Sequence, residues 1–219
     1  MAQNHKPRPP KPDGIPPNPR KRSKPGPKGV KAAPSLMEVA RQRPSPDEFA
    51  KWVESLDGEP DRIVAITFGA LLEALLEDAL TAHMLLLDPG RFTEIFREPN
   101  APLQSWSAKT LLAHALGIFG DAMRVQMDQA RRIRNAFAHA LRTIDFENEA
   151  IAAACAALDV QRMVHDHITY ESEGTGPRAR YMEACMLMAH HLVCFVQAMK
   201  DQISKGERRK PEAFRSEWA

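Results

Sequence analysis

Two long segments in which apolar residues recur every three or four positions constrain the fold most strongly. The first follows Pro60-Asp61, and the second runs from about Arg178 to Ile203. Their apolar positions are Val64, Phe68, Leu71, Leu72, Leu75, Leu76, Ala79 and Leu80, and Met182, Cys185, Met186, Ala189, Val193, Val196 and Met199. This spacing places apolar side chains on one side of an α-helix. Aromatic residues make up only 6% of the chain, and Ala, Leu and Met dominate, which also favours helices over sheets.

Capping and turn residues divide the remaining sequence into shorter helices. Ser45-Pro46-Asp47-Glu48 forms a capping box, in which a serine precedes the helix and a glutamate follows three residues later. The predicted helices are Ser45 to Leu56, Asp61 to Leu87, a short one near Phe92 to Phe96, Ala108 to Ile118 after a Ser107 cap, Asp121 to Leu141, Phe146 to Leu158, and Arg178 to Ile203. The segment 159–176 stays ambiguous. We therefore predict an all-α fold, a single compact domain of about five to seven helices over residues 35–204.

The N-terminal segment 1–34 differs sharply in composition from the rest of the chain. It is rich in Pro, Lys, Arg and Gly, and carries nine basic residues and one acidic residue, a net charge of +8. Because the whole chain carries +2, residues 35–219 carry −6. Because this segment has few apolar side chains to bury, it cannot offset the conformational entropy that the chain loses on folding. We therefore predict that residues 1–34 are a disordered tail. A second polar tail, residues 205–219, follows the last helix.

The basic tail has two interpretations that the sequence leaves open. It either binds nucleic-acid phosphates by releasing counterions, or it only keeps the protein in solution. The densest cluster of positive charge is the candidate for DNA or RNA contact. Its members are Arg20, Lys21, Arg22, Lys24 and Lys28.

Cysteine usage and hydropathy suggest a cytoplasmic location. The three cysteines are odd in number and form no C-x-x-C pair, which argues against a disulfide framework and favours a reducing compartment. Their apolar neighbours predict inert core thiols at Cys155, Cys185 and Cys194. No apolar run reaches the roughly 18 residues of a membrane span, and no secretory signal is visible, so we expect no membrane association.

Histidine pairs are the only hint of a metal site, and they are weak. His165-x-His167 and the adjacent His190 and His191 each supply two ligands, whereas zinc sites need three or four that converge. Glycine-rich phosphate loops, Ser-His-Asp sets and paired catalytic carboxylates are also missing from the sequence. We therefore expect no metal and no cofactor.

The fourth long helix contains the run Arg131-Arg132-Ile133-Arg134-Asn135-Ala136-Phe137-Ala138-His139. On a helical projection Arg134 falls on the apolar stripe, and Asn135 and His139 fall on the polar one. The apolar stripe contains Met127, Ala130, Arg134, Phe137 and Leu141, and the polar stripe contains Asp128, Arg132, Asn135 and His139. An inward guanidinium needs a carboxylate, and Glu73 or Glu77 on the second helix is the candidate.

Arg134 and His139 therefore have both a structural and a chemical interpretation. In the first, Arg134 forms a buried ion pair that fixes helix register, and His139 lies near the negative end of the helix dipole. In the second, the arginine neutralises charge on a phosphoryl group and the histidine transfers a proton. On an ideal helix, residues five apart point about 140° away from each other. The two residues could contact one substrate only if the long arginine side chain reaches around the helix, if the helix is distorted, or if they meet across a dimer interface.

Several segments together resemble the mannitol operon repressor family. They include Pro102–Lys109, Leu112–Ile118 and the 131–139 run, supported by Asp61–Ala65, Leu71-Leu72-Glu73 and Phe146-Glu147-Asn148. The resemblance covers roughly residues 61–158 and implies an all-helical domain that controls a sugar-alcohol operon. A DNA-reading helix-turn-helix is not evident, so the resemblance implies regulation through a protein or RNA partner.

The same nine residues resemble the R-x-x-x-x-H signature of HEPN domains, in which a polar residue follows the arginine. Many such domains are metal-independent ribonucleases that act as dimers, and others bind nucleotides or proteins. The resemblance implies that Arg134, Asn135 and His139 are the active residues.

Three functional hypotheses follow. The first is a non-enzymatic regulatory protein that binds a partner or its own copy. The second is an endoribonuclease acting as a toxin or defence effector. The third is an adaptor whose basic tail tethers it to nucleic acid.

Overall fold

The computed structural model describes residues 39, 42, 44–84, 89–159 and 174–205. Within them the chain is all-helical, with no strand, which confirms the predicted fold class. The seven described helices are α1 (Pro46–Glu54), α2 (Asp61–His83), α3 (Pro89–Phe96), α4 (Trp106–Ala115), α5 (Asp121–His139), α6 (Glu149–Ala156) and α7 (Pro177–Ser204). Contacts divide the chain at residue 40, and all seven helices belong to the unit 41–219. The predicted tails, residues 1–34 and all but the first residue of 205–219, lie outside the described residues.

The two long helices α2 and α7 form the centre of the domain. They run side by side in the same direction, as two contacts show: one joins the early turns of both helices, and the other joins the last turn of α2 to a later turn of α7. Near their starts, the Tyr181 hydroxyl donates to the Ala65 carbonyl at 3.0 Å, and further along the rings of His83 and Phe195 stack 6.3 Å apart. Helices α4 and α5 pack against α2, and α6 packs against α7. The predicted apolar face of α2 lies in the shared core. The predicted face of α7 was partly wrong, because Val193 is 50% exposed and Met182, Met186 and Val196 are only partly buried. The buried apolar residues of α7 are Tyr181, Ala184, Cys185, Met188, Ala189, Leu192, Phe195 and Met199.

Arg178 at the start of α7 fastens three parts of the chain together. Its guanidinium donates to the carbonyls of Leu56 and Glu59, both at 2.8 Å, and to Asp61 Oδ1 at 2.7 Å. The other Asp61 oxygen accepts the backbone N–H of Phe146 at 2.8 Å. The turn between α1 and α2, the α5–α6 connection and the start of α7 are thereby held at the same end of the domain.

Helix α4 begins and ends earlier than predicted. Ser105, not Ser107, is the N-cap, because its hydroxyl accepts the backbone N–H of Ala108 at 3.2 Å. The helix ends at Ala115 instead of Ile118, because Gly117 adopts a φ of 69°, the left-handed conformation that ends helices. The predicted cap, Ser107, is instead the second residue of the helix.

Helix α5 ends at His139, two residues before the predicted end at Leu141. Arg62, near the start of α2, donates to the carbonyls of Ala138 at 3.0 Å and Ala140 at 3.2 Å. These groups would otherwise lack partners at a helix C-terminus. Leu141 therefore leaves the apolar stripe and is fully exposed.

Helix α7 is, among the described helices, the one long and apolar enough to cross a membrane by length and composition. Half of its 18-residue apolar window is buried inside the domain. Core helices of globular domains have the same character, and α7 supplies eight residues to the hydrophobic core.

The buried imidazole of His191 on α7 should make the protein less stable in acid. Its Nε2 lies 3.1 Å from the Ile118 carbonyl, and burial lowers its pKa below the usual 6.5. Below pH 6.5 the unfolded chain then binds a proton that the folded protein does not, so stability falls as the pH falls. His191→Gln should reduce this decline by up to about 1.4 kcal/mol per pH unit. Denaturant unfolding at several pH values measures it, with the exposed His139→Gln as control. Equal slopes for both variants would contradict the prediction.

Candidate functional site

Arg134 projects from α5 toward α2 and is held by three neighbouring side chains. Its Nη2 donates to Glu73 Oε2 at 3.1 Å, and its Nη1 donates to Asn135 Oδ1 at 2.9 Å. Its guanidinium carbon lies 5.7 Å from the centroid of the Trp106 ring, within range of a cation–π interaction. The arginine is thus positioned by a carboxylate, an amide and an aromatic face together.

A glycine on α2 makes the close approach of Arg134 possible. A Cβ at Gly69 would lie 2.5 Å from Arg134 Cγ and 3.2 Å from Trp106 Cζ3. Glu73 follows Gly69 by four residues and so lies on the same side of α2. The glycine accommodates the aliphatic stem of the arginine, and the glutamate one turn later receives its charged end.

Arg134 is the first member of a line of five alternating charges. Glu73 Oε1 also accepts from Lys109 Nζ at 3.1 Å, and the same Nζ lies 3.2 Å from Glu77 Oε2. Glu77 in turn is paired with Arg97. We call these five residues the charge array; it joins α2, α4, α5 and the end of α3.

The middle of the charge array is buried and its ends are partly exposed. The side chains of Lys109 and Glu77 are only 4% and 7% exposed, whereas that of Arg134 is 27% exposed. Three cations face two carboxylates, so the array carries one surplus positive charge. The array therefore places the Lys109–Glu77 ion pair inside the domain and an arginine at each edge.

Of the two glutamates predicted to pair with Arg134, only one contacts it among the described residues. Glu73 contacts the arginine, whereas Glu77, within the described residues, pairs with Lys109 and Arg97 instead. Sequence reasoning missed Lys109, Arg97 and Gly69. A lysine among the buried positions of α4, and a glycine four residues before Glu73, were the available signals.

His139 lies at the last position of α5, and its side chain is exposed. In the part of the chain that the structure describes, no hydrogen bond or ion pair joins it to Arg134. Asn135 is half-buried and engaged by Arg134. Of the three signature residues, the structure brings Arg134 and Asn135 together, and His139 stands apart near the helix end.

Filling the space at Gly69 should test the close approach of Arg134. Gly69→Ala is expected to destabilise the fold by about 1–2 kcal/mol, because overpacking outweighs the helix propensity gained over glycine. In an Arg134→Ala background the 2.5 Å contact with Cγ is removed, whereas the contacts of 3.1 Å with the Cβ of residue 134 and 3.2 Å with Trp106 Cζ3 remain. The same Gly69 substitution should therefore cost clearly less than in the wild type and come close to neutral. Chemical denaturation of the four proteins measures the coupling, and additive effects would show that the two residues do not compete for this space.

The remaining chemical candidates do not form a second site. Among the described residues no cluster of three or more His, Cys, Asp or Glu side chains is arranged to hold a metal ion. His190 is exposed with its Nε2 3.4 Å from Cys194 Sγ, whereas His191 turns inward. His165 and His167 lie outside the described residues.

All three cysteines were predicted to lie in the core, but only two of them do. Cys155 and Cys185 are buried, and burial raises both thiol pKa values, that of Cys155 to about 11, so both are protonated at neutral pH. The prediction was wrong for Cys194, which is exposed on α7. One exposed face within an otherwise apolar helix cannot be assigned from neighbouring residues alone.

The tail candidates Arg20, Lys21, Arg22, Lys24 and Lys28 lie outside the described residues. Comparison of the chain with models of known families, with curated proteins and with solved structures found no match to any of them.

Proposed function

We propose that this protein is a non-enzymatic regulatory binding protein that acts in transcriptional or post-transcriptional control through protein or nucleic-acid partners. The observation that carries this proposal is the engagement of Arg134 by Glu73, Asn135 and the Trp106 ring. A catalytic arginine must turn its charge toward the substrate, whereas the guanidinium of Arg134 is directed at Glu73, a carboxylate of its own domain. Its position argues for a structural role.

The similarity of residues 61–158 to mannitol operon repressors supports the regulatory part of the proposal. The residues that carry this similarity include Glu73, Lys109 and Arg134, three members of the charge array. In such a regulator the array would hold the helices in register, so these three residues would serve the fold. The resemblance and the ion pairs then have one explanation that involves no chemistry on a substrate.

The division of charge along the chain supports nucleic acid as one partner. The tail carries +8 and the remainder −6, so a phosphate backbone is attracted to the tail and repelled by the helical body. Arg20, Lys21, Arg22, Lys24 and Lys28 would make the phosphate contacts. Such contacts position a protein on nucleic acid without reading its sequence, and target choice then falls to a protein partner. A cytoplasmic location is consistent with this role.

A HEPN-type metal-independent endoribonuclease is the second candidate. The partial exposure of Arg134 and the exposed imidazole of His139 favour it, because both groups remain open to solvent. In that case RNA would draw Arg134 away from Glu73, and His139 would transfer the proton.

One experiment separates the two candidates. The full-length protein is incubated with labelled mixed-sequence RNA in the presence of a chelator, and both retention and cleavage of the RNA are measured. The regulatory proposal predicts RNA that is retained and stays intact. Cleavage that His139→Ala abolishes, and that the exposed same-helix control Arg132→Gln preserves, would overturn it in favour of the nuclease.

A further inference from the structure

Helices α2 and α7 leave an open groove of about 450 Å³ on the outside of the domain. Part of its lining is buried, namely Leu71 and Leu75 of α2 and Ala189 of α7. The rest of its apolar lining is open to solvent, and Val193 is 50% exposed. The partly exposed apolar residues are Phe49, Met186, Val193 and Val196. A contiguous apolar surface of this kind is typical of a binding surface.

The segment 206–219, which follows α7, contains two aromatic residues in an otherwise polar sequence. They are Phe214 and Trp218. Every aromatic residue in the described part of the chain is buried or half-buried, as expected for side chains that each remove about 150–250 Å² from water. Phe214 and Trp218 are four positions apart, a separation that places two side chains on the same side of a helix and also of an extended segment. The segment therefore carries two apolar anchors that can bind one surface together.

The place where α7 ends brings this segment within reach of the groove. The helix ends at Ser204, about one turn beyond Lys200, which borders the groove. At 1.5 Å per residue, the way back along the helix from Ser204 to Val193 is about 16 Å. The stretch from residue 205 to Phe214 can span up to about 30 Å when it is extended. Phe214 therefore reaches the groove with enough chain left to reverse direction.

We propose that residues 211–218 of the same chain fold back over this groove, with Phe214 and Trp218 packed against its apolar lining. The returning segment runs antiparallel to the second half of α7. It enters at the Lys200 end of the groove, where Glu212, which precedes both aromatic residues, meets the lysine. The acidic residue and the two aromatic residues of the segment thus follow the same order as the basic end and the apolar lining of the groove, which favours this direction of docking.

The docking does not depend on the proposed function, because it rests on the groove and on the segment after α7 alone. A tethered segment has a high effective concentration at a surface within its reach. Residues 211–218 therefore shield the apolar surface from weak and non-specific contacts. A protein partner that binds in the groove has to displace Phe214 and Trp218 first, so the segment regulates access to this surface.

Fluorine NMR of the full-length protein, with 5-fluorotryptophan in place of its three tryptophans, tests the proposal. The signal that Trp218→Phe removes belongs to Trp218, and its position should differ from that in the urea-unfolded protein. Val193→Glu should move the signal toward the unfolded position, because an unpaired charge in the apolar contact lowers the ratio of docked to free segment roughly ten-fold or more. The matched control Val125→Glu changes a 62% exposed residue on α5 and should leave the signal in place. Circular dichroism checks that both variants stay folded.

A nitroxide label on Cys194 shows where the segment docks. This thiol is exposed and lies 3.4 Å from Nε2 of His190, which lines the groove, whereas Cys155 and Cys185 are buried and should stay unlabelled. The label should broaden the Trp218 signal of the same molecule. It should leave that signal sharp when the label is carried only by a second, unfluorinated copy.

Two outcomes overturn the proposal. A Trp218 signal that does not respond to Val193→Glu leaves the groove to a partner helix or to a small apolar ligand. Broadening that appears when the label is on the second copy shows that the segment reaches another molecule and does not fold back on its own.

Discussion

Glu77→Ala should lower the free energy of unfolding by about 3–5 kcal/mol and the melting temperature by roughly 10 °C. Glu77 is buried and pairs with both Lys109 and Arg97, and Lys109 is more buried still. Removing the carboxylate leaves three cations facing the single remaining glutamate, Glu73. The cost arises because a buried ammonium loses one of its two counter-charges without regaining water.

Replacing the central pair with apolar residues should recover most of that loss. In the double variant Glu77→Leu/Lys109→Met no unpaired charge stays in the interior, the Arg134–Glu73 contact remains, and Arg97 can turn to solvent. Buried ion pairs replaced by apolar groups of similar volume are often neutral in stability. Thermal and denaturant unfolding measure both variants, with the exposed Glu94→Ala as a control. A double variant as unstable as Glu77→Ala would show that the unpaired charge does not explain the loss.

Much of the fold could be predicted because helix formation leaves a local signature in the sequence. The apolar residues of α2 and α7 recur at the helical period, and every position of α2 named in that pattern is buried. The ends of helices were harder to predict, because the side chain that binds the free carbonyls at a helix end can be distant in sequence. The end of α5 is fixed by Arg62, which lies 76 residues before the Ala138 carbonyl that it contacts.

The candidate site could be predicted only in part, for a related reason. The position of Arg134 on the apolar stripe of α5 indicates that a carboxylate must be near, since an unpaired guanidinium inside a domain is costly. That inference uses one helix. Which glutamate contacts it, and whether Lys109 and Arg97 join, depends on the rotation and depth at which α2, α4 and α3 pack. A sequence therefore reveals that a buried charge needs a partner before it reveals which partner.

The interpretation of the site changes once its neighbours are known. The nine-residue run with Arg134 and His139 allows both catalysis and ion pairing when only spacing is considered. The charge array distinguishes the two interpretations, because Glu73 competes directly with any phosphate for Arg134. An RNA-cleaving enzyme would have to break that ion pair in each binding event, whereas a regulatory protein keeps it throughout.

The salt dependence of nucleic-acid binding should change strongly when the tail loses charge. Each phosphate that a Lys or Arg neutralises on duplex DNA contributes about −0.9 to the slope of log K against log salt, so five contacts contribute about −4.5. Substituting Arg20, Lys21, Arg22, Lys24 and Lys28 with glutamine should therefore remove about 4.5 from the slope. For these five contacts alone, affinity should fall roughly 500-fold between about 50 and 200 mM salt.

Fluorescence anisotropy of a labelled duplex, titrated at several salt concentrations, measures that slope for the wild type, the tail variant and a control. The control neutralises exposed basic residues of the helical body, Lys51, Arg132, Arg142 and Lys205. Because that body is acidic overall, the control should keep the wild-type slope within about one unit. If the control flattens the slope and the tail variant does not, the phosphates lie on the helices, and the tail only keeps the protein in solution.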